Sequence, residues 1–179
     1  MSIFLIILLV VVGIIVLLLI IALFTKKDYA VERSIEINRS VSTVYDYIKY
    51  LKNQDNYSKW ATLDPNMKKE YTGTDATPGF VSAWEGNKKV GKGEQEIKSL
   101  TDNQRVDTEL RFIKPFPAVS QAYMTTEPIN NNETLVKWGF SSRMNYPMNI
   151  FLVFMNMDKM VGNDFAYGLG RLKEILEKQ

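Results

Sequence analysis

Asp158 is the residue whose place in the sequence first suggests chemistry. Counting from Phe151 in alternating steps of four and three gives Phe151, Met155, Asp158, Gly162, Phe165, Leu169, Leu172 and Leu176. Steps of that size return to one face of an α-helix. Six of these eight residues are large and apolar, so a carboxyl group among them must be paired, protonated or wet. In one reading Asp158 is a polar anchor for a ligand, or a general acid/base with a raised pKa. In the other, a slight turn of the helix brings it to a pocket mouth or pairs it with Arg33 or Arg143. Gly162, one turn on, would let the helix approach its neighbour or leave a notch beside the carboxyl. The chain has no histidine and no cysteine. That removes imidazole bases, Ser-His and Cys-His nucleophile pairs, disulfides and the common zinc sites. Acid–base work is left to Asp, Glu, Lys and Tyr. A single carboxylate without a partner does not make a catalytic site, so no catalytic residue, metal ligand or cofactor is assigned.

The second group with chemical potential is aromatic. Trp84, Phe112, Trp138 and Phe140 fall on the inward positions of alternating segments. Aromatic side chains so placed line a pocket for an apolar ligand, and they fill a solid core equally well. Gly91, Gly93 and Ser99 fall on the same face and leave space. The expected ligand-binding set is therefore Trp84, Phe112, Trp138, Phe140, Met155, Asp158 and Phe165. Two further motifs carry little. Gly86–Gly93, GNKKVGKG, imitates a phosphate loop, but Gly93 stands where Ser or Thr must hold Mg²⁺ and both flanks are strands, so it reads as a hairpin turn. Asn38, Asn56 and Asn132 open N-x-S/T triplets that matter only in a lumenal domain. Met148–Met157 is apolar almost all round, and Phe116 stands between two prolines. Such segments are either packed, or form an adaptable wall or a bilayer contact.

These residues need elements to position them. Ile3–Phe24 has no polar side chain over 22 residues, enough for a helix to cross a hydrocarbon core of about 30 Å. No basic residue opens the run and no A-x-A site follows, which favours an uncleaved anchor over a signal peptide. Lys26 and Lys27 follow at once and place the remainder on the cytoplasmic side. The charged residues, 22 basic and 20 acidic, lie beyond the anchor without a basic block, so nucleic acid is not an expected partner. Ala30–Ile37 alternates as a first strand. Ser40 caps a helix reaching about Leu51, and residues 53–60 form a second short helix or turn. Alternating segments follow at 68–72, 80–85, 91–99, 105–113, 118–127 and 134–142. They describe one antiparallel sheet with a wet and a dry face, and the dry face needs the C-terminal helix as cover.

That order of elements resembles the START-like, or SRPBCC, superfamily, specifically its polyketide cyclase/dehydrase and lipid-transport branch. The matching stretches are Tyr29–Ile35 with Val41 and Val44, Trp60 with Asp64-Pro65, Trp84–Asn87 with Val90–Gly93, Thr134–Trp138, and Gly162–Phe165 with Gly168-Leu169 and Leu172-Lys173. The resemblance implies an α+β helix-grip fold. A curved antiparallel sheet of about seven strands surrounds a long C-terminal helix, with two short helices after the first strand and one transmembrane helix before it. It further implies an apolar cavity between sheet and helix for a lipid, sterol-like or polyketide-like molecule, and in a minority of members an enzymatic activity. The expected organisation is an anchor with its basic flank at 1–27 and a ligand-binding domain at 28–179. The expected partners are a hydrophobic small molecule and the lipid bilayer, the latter through residues 3–24.

Overall fold

The computed structural model describes residues 2–178. Helix α1, Ile3–Phe24, is capped by the Ser2 hydroxyl, which accepts from the Leu5 N–H at 3.3 Å. By length and composition it can cross a membrane, a property it shares with a signal sequence, and it is not packed into the body of the protein. Ala22 is its one buried residue.

Seven strands form a single antiparallel sheet: β1 (Asp28–Ile37), β2 (Lys68–Thr72), β3 (Val81–Glu85), β4 (Lys92–Thr101), β5 (Arg105–Lys114), β6 (Ala118–Asn130) and β7 (Glu133–Arg143). Their order is β1-β7-β6-β5-β4-β3-β2. Consecutive strands from β2 to β7 are neighbours joined by short turns, and β1 closes onto β7, from Asp28 opposite Arg143 to Ile37 opposite Thr134. Register assigns the faces. Val31, Arg33, Ile35 and Ile37 lie across from Phe140, Trp138, Val136 and Thr134. Ala122, Met124 and Thr126 continue that row on β6. The other face is wet. There Arg111 bonds Glu94, Glu96 and Glu109, and Tyr123 donates to Glu32.

Helix α2 (Val41–Ile48) and two 3-10 turns at Leu51–Asn56 and Lys59–Thr62 cross from β1 to β2. Ser40 caps α2 by accepting from the Thr43 N–H at 3.4 Å. The C-terminal stripe divides. A 3-10 turn, Met148–Ile150, leads into one turn of helix, α3 (Phe151–Phe154). The chain extends at Met155, and α4 (Met157–Glu177) restarts under a new cap, the Asn156 side chain accepting from the Lys159 N–H at 2.8 Å. The continuous helix expected from Phe151 is thus broken. Asn156 satisfies an orphan N–H that an uninterrupted helix would not have, and Phe151 and Met155 lose phase with the stripe. From Phe165 onward the stripe holds. Phe165, Leu169, Leu172 and Leu176 are buried with Val44, Tyr45, Ile48, Val106, Val136 and Trp138. Helix α4 packs chiefly across β1, pinned at its far end where Glu177 accepts the Asn38 N–H at 2.7 Å and Lys173 donates to the Glu36 carbonyl at 2.7 Å.

Candidate ligand-binding site

The concave face has two ends of different character. At the end reached by Ile37 and Thr134 the core is closed. Trp138 and Phe165 stack with ring centroids 4.6 Å apart, and Trp60 meets both edge-on at 6.3 and 5.8 Å. Tyr57 lies edge-on to Trp138 at 5.7 Å, and its hydroxyl points to the Met124 sulfur at 3.4 Å. Burial drives the Tyr57 phenol far above its ordinary pKa. The enclosed space among Ile48, Tyr57, Thr108, Met124 and Trp138 is only about 10 Å³, at most the room of about one water. A pocket for a drug-sized apolar molecule needs roughly 300 Å³ or more. Trp138 and Phe165, expected as ligand contacts, fill the interior here with each other.

The other end is reached by the start of β1, the end of β7 and the β5–β6 turn. Here Trp84, Leu110, Phe112 and Phe140 are half-buried on the inner face. Trp84 and Phe112 meet edge-on at 6.0 Å, and Tyr29 lies against Phe140 at 6.1 Å. The space expected from Gly93 is taken by Trp84: a Cβ on Gly93 would fall 2.6 Å from the indole ring, so the glycine seats the tryptophan on the sheet. Ser99 is not on this face. A bulge between Ile97 and Ser99 shifts the register, and the Ser99 hydroxyl donates to Asp107 at 2.9 Å on the wet side; an extra residue reverses the alternation beyond it. Gly91 has φ +73 in the turn before β4, a left-handed conformation natural to glycine. A shallow open hollow of about 440 Å³ at this end lies mainly over the other face of the sheet, since Asp28, Ala30, Val119, Gln121, Ser141 and Arg143 in its lining alternate with the inward Tyr29, Ser120 and Ser142. Ser120 and Ser142 share a hydrogen bond of 2.7 Å. Sequence reasoning missed Tyr29, Ser120 and Ser142. Their signal was strand parity, since each is two residues from an inward side chain.

Asp158 is settled by geometry. Its carboxylate takes a two-armed bond from Arg33, at 2.8 Å to each oxygen, and Arg33 also donates to the Asp158 carbonyl at 2.9 Å. The Asp158 side chain is 64% exposed, so it is not buried in the stripe. Bonding to Arg33 holds its pKa below the ordinary carboxylate value, which corrects the raised pKa that a buried acid would have. Gly162 explains the fit: a Cβ there would strike the Arg33 guanidinium, so the notch beside Asp158 is filled by arginine. The carboxyl that burial pushes up is Asp164, and Lys59 opposes the shift. Met155 is half-buried at the break between α3 and α4. Among the described residues there is no cluster of acids that could hold a metal ion.

The model of the polyketide cyclase / dehydrase and lipid transport family matches residues 29–177. No curated protein matches the chain by sequence. Among solved structures, a truncated norcoclaurine synthase from Thalictrum flavum superposes with a TM-score of 0.67 at 7% identity, covering 87% of this chain and 97% of that one. Ara h 8.0201 gives 0.57 at 8% identity, covering 85% and 99%. XoxI from Bacillus cereus gives 0.58 at 14% identity, covering 82% and 94%. At such identities the likeness is one of fold.

Proposed function

Because the chain belongs to the polyketide cyclase / dehydrase and lipid transport family, we propose that residues 28–179 form a binding domain for a hydrophobic small molecule, held at the bilayer by an N-terminal anchor, residues 1–27, with the domain on the cytoplasmic side. One observation carries the reading: the inner face stays half-open over Trp84, Leu110, Phe112 and Phe140 at one end while the other end is packed solid. Partly exposed aromatic surface on a concave face gains free energy when an apolar molecule covers it, about 25 cal/mol per Å² removed from water. Tyr29 and Ser142 supply hydroxyls at the rim that could orient a polar end of the ligand, with buried Ser120 backing Ser142 through their shared hydrogen bond. The Arg33–Asp158 bridge ties β1 to the start of α4 beside the site. The anchor keeps the open end near the phase in which apolar molecules concentrate.

The test is mass spectrometry of the intact protein purified with its anchor in mild detergent, beside a Trp84→Ala/Phe112→Ala double variant. A stoichiometric apolar compound, lost in the variant, supports the reading. If nothing is retained and fluorescent lipid probes also fail to bind, the reading falls. The filled closed end then favours a second reading, a protein-interaction module.

A further inference from the structure

Asn149 is wholly buried, and its side-chain amide donates to the carbonyls of Ala22 at 2.6 Å and Thr25 at 2.9 Å. These are carbonyls in and just after the last turn of α1, which the helix itself leaves without partners. The segment that follows Asn149 is therefore fixed beside the point where the apolar helix ends. It is apolar and outward-facing: Phe151 and Val153 are exposed and Phe154 is 70% exposed, with Met148 exposed just before Asn149. Register places a second apolar projection at the same end of the sheet. Asp28 pairs with Arg143, Ser142 with Ser120, and Phe112 with Ala118, so the turn after β5 comes out on the side where β1 begins. That turn carries Phe116, 70% exposed, and the flanking Ile113 and Val119 are exposed too.

We propose that this end of the domain rests in the bilayer surface, with α3 and the Phe116 turn inserted at the headgroup–acyl boundary and the half-open mouth of the concave face turned toward the lipid. The inference rests on the membrane-anchored reading above. Three features name a bilayer as the occupant. Only Thr25, Lys26 and Lys27 separate α1 from β1, a tether of roughly 10 Å at full extension. The apolar segment is hydrogen-bonded to the anchor and so is continuous with it. Lys26, Lys27, Lys88 and Lys89, which form no ion pair among the described residues, stand at this end, where cations meet anionic headgroups. The lipid to be bound would then enter without crossing water.

The chain contains no cysteine, so single spin labels report cleanly. Full-length protein in vesicles of zwitterionic lipid with about one-third anionic lipid is labelled at Val153→Cys, Pro117→Cys, Asn131→Cys at the far turn, and Val12→Cys within α1. Relative accessibility to oxygen and to a water-soluble nickel chelate gives depth. The expected result is oxygen in excess at 153, 117 and 12, and nickel in excess at 131. Aqueous labels at 153 and 117 with a lipid-buried label at 12 overturn the inference and leave the anchor standing. An aqueous label at 12 overturns both. Labels at 153 and 117 shielded from both reagents show a protein partner or second copy on this surface and likewise overturn it.

Discussion

The two ends of the concave face are built from the same kinds of residue and do opposite things with them. At one end Trp138, Phe165, Tyr57 and Trp60 meet each other and leave almost no space. At the other, Trp84, Phe112, Phe140 and Tyr29 meet in pairs and leave one side half-open. The cause is the cover. Helices α2 and α4 converge on the first end, whereas toward the second the C-terminal chain breaks at Met155 and Asn156 and turns off to meet α1. Aromatic content by itself does not make a pocket. What stays open depends on where the covering helix stops, and stability and binding are thereby assigned to different ends of one sheet.

Three experiments break or sharpen that contrast, in order of falling effect. Leu172→Ala at the closed end is expected to destabilise the domain by about 2–5 kcal/mol, since the surroundings cannot collapse fully onto the void. Trp84→Ala at the open end is expected to cost less, about 1–2 kcal/mol, because the indole is only half-buried. Denaturant titration of the two variants decides, and equal losses would dissolve the distinction. Second, Gly162→Val forces the Arg33 guanidinium out of its seat, an overpacking change worth about 1–3 kcal/mol. Arg33→Ala in the same chain should recover most of that loss, and a double-mutant cycle measures the coupling; additive losses would mean that the two residues do not compete for one space.

The third effect is the smallest and depends on pH. Asp158 has a lower pKa folded than unfolded because it accepts hydrogen bonds from Arg33. As pH falls, the unfolded chain takes up the proton first, at about pH 3.9. The contribution of the bridge is therefore whole above that value and drains away as pH falls through the folded pKa. Stability measured from pH 6 downward should drop more gently in Asp158→Asn than in the unaltered protein. Parallel acid limbs would deny the bridge a role.

Much of the architecture was legible because alternation and capping are local. The seven strands, the Ser40 cap and the stripe from Phe165 to Leu176 all follow from neighbours in sequence, and the sheet and helices bear them out. The departures have non-local or single-residue causes. The Ile97/Ser99 bulge moved Ser99 to the wet face without disturbing the alternation that suggested otherwise. The break at Asn156 interrupts a stripe whose apolar spacing runs straight through it. Of the site, parity placed Trp84, Phe112, Trp138 and Phe140 on the correct face. Whether each was half-open or sealed depended on how far α4 extends along the sheet, a tertiary matter that strand patterns do not contain. Asp158 was legible in part: pairing with Arg33 or Arg143 was one of its two readings, and the contact with Arg33, 125 positions away, bears that one out.

The grip of Asn149 on Ala22 and Thr25 also sets a bearing. Two bonds to carbonyls three residues apart fix both the axis of the helix end and its rotation about that axis. The two bonds resist a swivel of the sheet about α1 and hold its half-open end toward one flank of that helix. Each residue of a helix advances it by about 100°. Inserting a single residue in mid-α1 would leave the grip intact, yet swing the N-terminal half of α1 by that angle relative to the sheet. The grip thus makes the length of α1, counted in residues, a setting of the angle between its two ends and the sheet.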